Sequence, residues 1–400
     1  MGIGNHDETA FAFEGDWKDF ISIGLTNSFL TFVTLGFYRF WATTRERRYL
    51  WSKTRFIDDQ IEWTGTGLEL FIGFIAAFFL LGIPLFVLQL IVQGAILQNQ
   101  TMVAGVIGIA LYIFLLCLAG FAIFRGLRYR LSRTYWHGIH GGSDNPGFRF
   151  GWSYLWKTIV GALPLGLLTP WSSTTLWKER WEAMSFGPHN FTADPTWKNL
   201  IQRFALCYMG PLVLIAVLLW FMLSSGGQYR VGNAGGVGVG IAAILIALTA
   251  YVLLPLLALV YYAAYTREVI SSLGLSTLKF AFTARTRNWV LLFLGNIGLS
   301  VLAIVIGVIG AVIFGGTAII GTMTSGAFQP PAIGSVILIA LSFIIPLMLV
   351  GPFVRYRNWA FFIRHLEAGG EVNLDALTQS STRELKQGEG LLDAFDMGAI

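Results

Sequence analysis

The stretch Thr34–Phe56, TLGFYRFWATTRERRYLWSKTRF, closes an apolar run, turns a Phe-Trp corner and enters a dense basic segment. Its outline returns at Pro164–Phe186, PLGLLTPWSSTTLWKERWEAMSF, where Leu, Gly, Trp, Thr, Trp and Phe recur in register without a gap. A fainter copy, PLMLVGPFVRYRNW, lies at Pro346–Trp359. We read the element as a membrane-embedded hairpin that feeds a basic, aromatic cytoplasmic surface.

Composition agrees with a membrane setting. Hydrophobic residues make up 55% of the chain, charged residues 12%, and the mean hydropathy is +0.65. Several apolar runs exceed the roughly 18–20 residues needed to cross about 30 Å of hydrocarbon, and they recur along the whole length. The opening MGIGNHDETAFAFEGDW is acidic, so no cleaved signal peptide is expected. Cys117 and Cys207 both fall inside apolar runs, which leaves no disulfide framework and no cysteine metal site.

Candidate apolar segments are Ile21–Phe40, Leu70–Leu97, Met102–Phe124, Tyr154–Trp171, Phe204–Leu223, Val237–Tyr265, Trp289–Gly316 and Ile333–Pro352. Charge orients them. The connections Gln98–Thr101 and Thr317–Ala332 carry no charge, and Ser224–Gly236 carries only Arg230. The other Lys and Arg residues fall in the remaining connections or at their edges, so the three charge-poor loops are expected outside and the rest in the cytoplasm. Of the 14 Trp, all but Trp220 lie on or beside the basic side, as an interfacial belt would require.

Parity sharpens the topology. Met102–Phe124 ends at Arg125, Arg128, Arg130 and Arg133, while Phe204–Leu223 begins after Lys178, Arg180, Lys198 and Arg203. The run Tyr154–Trp171 between these two inner ends must therefore cross an even number of times. Two half-helices of about eight residues reach only about 12 Å, so the run reads as a re-entrant hairpin, or alternatively as a flat interfacial helix. Gly161, Pro164 and Gly166 sit where its turn would fall. Ile21–Phe40 either re-enters in the same way or spans once. In the third copy two full spans, joined by TSGAFQPPAIG, replace the dip. The hairpin corners are Asn27, Gly36, Trp41, Pro164, Gly166, Pro170, Trp171, Asn296 and Pro352.

Short period-two pieces flank each copy and read as strands. Phe11–Phe13, Phe148–Phe150 and Phe280–Phe282 precede the copies; Ile61–Trp63, Phe191–Ala193 and Val372–Leu374 follow them. The expected fold is thus an all-α polytopic membrane protein. It has about six full transmembrane helices plus two re-entrant or interfacial hairpins, a three-fold internal repeat and short cytoplasmic β-strands. The units run 1–66 (first repeat), 67–147 (two spans and a basic loop), 148–195 (second repeat), 196–277 (two spans and a basic loop) and 278–376 (expanded third repeat). Residues 377–400 read as a disordered cytoplasmic tail.

These residues carry a family resemblance. Phe11–Gly15, Asn27 followed by TFVTLGFYRFW and RERRY, and LSRTYWHGI at Leu131–Ile139 resemble the YjgN family, bacterial inner-membrane proteins whose shared domain is of unknown function. The resemblance covers roughly Phe11–Ala376. Two departures stand out: the Pro-Trp corner is Phe40-Trp41 here, is kept as Pro170-Trp171 and becomes Pro352-Phe353; and His137 stands where Arg is more usual. The resemblance implies a multi-pass inner-membrane location and no reaction. It also implies, weakly, a membrane partner like the CAAX prenyl protease metallopeptidases.

Chemistry is sparse. There is no His-Glu-x-x-His, no Walker loop and no Gly-x-Ser-x-Gly. His137, His140 and Asp144 have metal-ligand spacing, but the favoured reading is a Gly-rich cytoplasmic loop whose His replaced a basic residue. No Asp or Glu lies deep in a span, which counts against ion-coupled transport; Lys157 is expected to snorkel. No cofactor is expected. A headgroup or partner surface is expected at Arg45, Arg47, Arg48, Lys53, Arg55, Lys178, Arg180, Arg355 and Arg357, facing anionic membrane lipids. The leading reading is a non-enzymatic scaffold or lipid-interacting module at the cytoplasmic leaflet. A channel lined by the hairpins and an intramembrane enzyme are the alternatives, and nucleic acid is not expected.

Overall fold

The computed structural model describes residues 10–163, 166–224, 234–325 and 333–370. Pro164, the strand expected at 372–374 and the tail 377–400 lie outside them. The run that opens the reading forms a helix, a turn, a helix and a strand. Helix α1, Trp17–Val33, starts at Asp16, whose carboxylate accepts from the Lys18 N–H, with Asp19 complementing the dipole in its first turn. It stops at Leu35 (φ 52°) and Gly36 (φ 94°), where the Gly36 N–H donates to Thr31 O at 2.7 Å. This six-to-one closure places Leu35 at the left-handed position, its N–H bonded to Phe32 O, and Gly36 then takes a second positive φ that glycine adopts without strain. Helix α2, Arg39–Ser52, then returns alongside α1. Ile21–Phe40 is therefore broken by a turn at Leu35–Gly36 and is not one continuous helix.

Strand β1 (Phe11–Phe13) precedes this hairpin; β2 (Thr54–Phe56), β3 (Asp59–Gln60) and β4 (Glu62–Trp63) follow it. Thr66 caps α3 (Gly67–Ala77), accepting from the Glu69 N–H. The helix continues through a π turn at Phe78–Gly82 into α4 (Ile83–Leu97), and Asn99 (φ 58°) turns the chain into α5 (Thr101–Ser132). Strands β5 (Thr134–Trp136) and β6 (Ile139–Gly142) lead to α6 (Phe148–Ala162) and α7 (Thr169–Glu182). Next come β7 (Ser185–Phe186), β8 (His189–Ala193), α8 (Lys198–Ser224) and α9 (Ala234–Ser271). The described chain ends with β9 (Leu273–Leu275), β10 (Leu278–Phe282), α10 (Thr286–Ser325), α11 (Ile333–Arg364) and β11 (Leu366–Gly369).

Each helix packs against its neighbour in the chain, and α11 packs back against α1, so the helices close a ring. The strands behave alike. Antiparallel pairing runs in order from β4 to β11, with β1, β2 and β3 in a second sheet. The Ile61 N–H donates to Thr54 O and the Thr64 N–H to Arg133 O, which joins the two sheets through one short segment. Laid flat, β5 and β10 would stand about 24 Å apart, five strand spacings of about 4.8 Å. Yet Trp136 of β5, Leu278 of β10, Phe56 of β2 and Ala368 of β11 share one apolar cluster with Phe11. The strand layer must curl around that cluster, which plugs its centre.

Four of the connections between helices on this side are two-residue strand hairpins. In each, the first turn residue has positive φ: Ile57 (59°), His137 (50°), Gly187 (55°) and Ser276 (54°). Such turns match the right-handed twist of the strands they join. The strand expected at Phe148–Phe150 is instead the first turn of α6. Gly147 (φ 89°) redirects the chain, its N–H bonded to Asn145 Oδ1 at 2.9 Å, and the pairing strand is Ile139–Gly142 upstream.

Element limits repeat. Helix α2 maps onto α7 at an offset of 130 residues (39 to 169, 52 to 182), and α1 covers α6 to within one residue at the same offset. Helix α10 begins 269 residues after α1 (17 to 286), and α11 ends 312 after α2 (52 to 364). The third hairpin thus carries 43 more residues inside the same frame. The hairpin arms are longer than the eight residues that hydropathy suggested, because α6 (15 residues) and α7 (14 residues) extend past the apolar run into amphipathic sequence.

Among the described residues, four helices are long and apolar enough to cross a membrane: Thr101–Ser132, Leu253–Ser271, Thr286–Gly316 and Ile333–Arg364. None of the most apolar 18-residue window of the last is buried by protein, so lipid is the solvent that suits it.

Candidate functional site

Three corresponding positions carry a polar bridge across a hairpin. Asn27 in α1 donates from Nδ2 to Ala42 O at 3.2 Å and to Glu46 Oε1 at 3.4 Å. Offset by 130, Lys157 in α6 donates from Nζ to Glu179 Oε1 at 2.6 Å, beside a bond from Ser153 Oγ to Glu179 Oε2 at 2.5 Å. Offset by 269, Asn296 in α10 donates to Asn358 Oδ1 at 3.0 Å; Asn358 in turn stands 312 after Glu46. Lys157 was expected to snorkel. It is instead buried at 6% exposure, because Glu179 on the facing helix provides a nearer partner than the interface. Glu46, within the basic run, is also buried, and Arg355 of α11 grips it with two bonds of 2.6 and 2.9 Å. That pair ties the third hairpin to the first.

Inside the helix ring lies a cavity of about 1580 Å³. Its lining runs from Phe280 and Leu366 in the strand layer to Phe32, Val33 and Leu35 at the tip of the first hairpin. Leu35 is 89% exposed. The walls are mainly apolar, and arginines from several elements enter the lining, among them Arg47, Arg130, Arg180 and Arg355.

The expected surface residues divide. Arg47, Arg180 and Arg355 line the cavity, together with Asn27, Gly36, Asn296 and Pro352. Arg45 and Arg48 are exposed and Lys53 is half-buried past the end of α2. Arg55 pairs with Glu14 at 3.4 Å, and Lys178 with Asp194 at 3.0 Å and Glu182 at 3.8 Å. The last contact pair holds the Lys178 ammonium above its ordinary range, chiefly through the Asp194 hydrogen bond. Arg357 lies against Gly295, where an added Cβ would strike its guanidinium. Among the corners, Trp41 packs on Phe71 at 5.5 Å and Trp171 on Trp156 at 6.0 Å. Pro170 is fully buried, Gly166 takes φ 80° at the second turn, and Pro352 sits on Gly24.

Trp177, Trp181 and Trp289 line the cavity as well. Their signal was present: Trp177, Arg180 and Trp181 stand at i, i+3 and i+4 on α7, one helix face. The histidines separate. His137 bonds Asp58 at 3.0 Å on an exposed turn, whereas His140 is buried and bonds Gly141 O. Among the described residues, no three His, Cys, Asp or Glu side chains gather to hold a metal ion.

Burial lowers the Arg180 guanidinium to about 10; nearby Tyr265 opposes the shift and Arg130, a like charge, adds to it. At neutral pH it stays protonated. Its Cζ lies over the Trp177 ring, 5.0 Å from the centroid.

A family model described as "Bacterial protein of unknown function (DUF898)" matches residues 8–394. A protein of Salmonella typhimurium named "Inner membrane protein YjgN" is 27% identical over 156 residues, 39% of this chain and 36% of that protein. The match thus spans little more than a third of the relative's length. No solved structure matches.

Proposed function

From the premise that the chain belongs to this bacterial family of unknown function, we propose that it is a non-enzymatic, lipid-interacting protein at the cytoplasmic leaflet. It is a multi-pass inner-membrane protein. The observation that carries the proposal is the cavity, with lipid-compatible walls, arginines in its lining and a tip at the depth of the first turn. The cavity meets the apolar cluster of the strand layer at Phe280, Trp359, Phe362 and Leu366, an unfavourable path for an ion. That cluster favours an amphiphile over a channel, although the unfilled centre is what a facilitator would also use.

The same reading takes six crossings, two short hairpins dipping from the inner side, and a three-fold repeat. The coincident helix limits and the three polar bridges support it. The basic residues at the strand end support a cytoplasmic strand layer. A partner of the CAAX prenyl protease type rests on family resemblance alone, and co-purification tests it.

The test of function is lipid analysis after extraction into polymer-bounded native discs. Anionic lipids are expected to be enriched over the surrounding membrane. A lipid complement identical to bulk overturns the reading, and ion flux into proteoliposomes would replace it with the channel.

A further inference from the structure

We propose that the basic end of the cavity, at Arg180 and Arg130, binds the phosphate of an anionic phospholipid whose acyl chains run toward the turn between α1 and α2. The inference rests on the lipid-interacting reading and specifies its ligand.

Arg133 meets Glu69 at 2.8 Å, Lys157 meets Glu179, Arg355 meets Glu46 and Lys178 meets Asp194. Arg180 has no carboxylate partner among the described residues, and its buried Nε has no hydrogen bond. Arg130, whose Nε donates to Gly126 O, lies close enough to repel it. Arg180 is half-buried at the cavity wall, and a guanidinium drawn partly away from water with no counter-ion is stabilised when an anion joins it. A guanidinium fork suits a phosphate, which it can bind with two parallel bonds.

The surroundings are short of acceptors. The indole N–H groups of Trp177, Trp181 and Trp289 are buried without partners around the same cavity. Their unpaired dipoles leave a field that favours negative charge. Trp177 and Trp289 are only 9% and 8% exposed, so bulk water does not supply the missing acceptors.

The occupant is an amphiphile because the remainder of the cavity is not built for phosphate. Phe32, Val33, Leu347 and Met348 continue the wall away from Arg180. At about 1580 Å³ the space exceeds the roughly 300–1,000 Å³ of small-molecule pockets. A free phosphate would leave that apolar wall uncovered.

The experiment is native mass spectrometry of the full chain in micelles doped with phosphatidylglycerol or phosphatidylcholine, with inorganic phosphate as competitor. Wild type is expected to retain phosphatidylglycerol preferentially and to keep it in millimolar phosphate. Arg180→Gln should retain about tenfold less, the loss of one charge-assisted contact. Arg180→Lys should recover part, and the exposed Arg149→Gln should match wild type. Equal retention of the two lipids by wild type overturns the headgroup site while leaving lipid binding intact, and it needs no variant to fold. Wild-type retention by Arg180→Gln does the same. Displacement by phosphate assigns the site to the free anion and ends the lipid assignment. No retained lipid of either kind removes the lipid reading itself.

Discussion

Arg355 of the last helix grips Glu46 of the second through two bonds of 2.6 and 2.9 Å, and Glu46 also accepts from Asn27. One buried carboxylate thereby connects the bridge inside the first hairpin to the closing helix of the ring. Arg355→Lys replaces a fork by a point charge and should cost about 1–2 kcal/mol. Chemical denaturation in detergent reads it. Unchanged stability would mean that the closing contact lies elsewhere.

In the second hairpin, Glu179→Ala leaves the Lys157 ammonium buried alone. Breaking a fully buried pair costs about 3–5 kcal/mol; Glu179 is 41% exposed, so about 1–3 kcal/mol is expected. Lys157→Met combined with Glu179→Leu should regain most of it. A double variant as unstable as the single one argues that the pair is not the source.

Helix α1 meets α11 at Gly24, where an added Cβ would fall on the Pro352 ring. Gly24→Leu should therefore part the seam and lower stability by about 1–3 kcal/mol or more. Gly94 in α4 has open space around it, and Gly94→Ala should be neutral or slightly stabilising. Equal melting of the two variants would discount the seam.

Acid should loosen one exposed link of the strand layer. The Asp58 carboxyl lies below its ordinary value of 3.8, chiefly because His137 bonds it. Its stabilising effect is present above that ordinary value and is lost as pH falls through the lowered one, so the window lies below about pH 4. Hydrogen exchange at the β5–β6 turn should speed up there, and Asp58→Asn should abolish the dependence. An unaltered acid response in that variant points to other carboxylates.

Topology is open to labelling. Asp144→Cys and Lys178→Cys, in a background with Cys117 and Cys207 replaced, should react with an impermeant maleimide from the cytoplasm. Asn99→Cys should react from the opposite side. Labelling of Asp144 and Lys178 from different sides would end the paired-hairpin geometry.

Much of this frame could be read from residues. The apolar run Tyr154–Trp171 is broken by a turn between two helices, as its Gly and Pro content implied, and Gly36 and Gly166 both take positive φ at the turns. Recurrence of Trp and Phe at a fixed spacing anticipated the shared helix limits. Long-range pairing was less legible. Phe148–Phe150 has strand-like alternation, yet Asn145 and Gly147 start a helix there, and local period cannot outweigh a cap. Lys157 looked interfacial because its partner stands 22 residues away on the facing helix. The cavity was invisible for the same reason: Trp289 of α10 joins Trp177 and Arg180 of α7 only when the helices pack together.

That closure has a consequence for biogenesis. The helices pack mainly on their predecessors and successors, so much of the helix ring can assemble while the ribosome is still adding chain. The late contacts are those the last helix makes with the first hairpin, and the strand cluster that joins Phe11 and Phe56 to Trp136, Leu278 and Ala368. Gly24, Glu46 and Phe11 must wait, solvated by lipid or water, until the last helix emerges. A nascent chain halted after Ser271 would hold its early hairpin with one flank uncovered, a natural point for a chaperone or insertase to act.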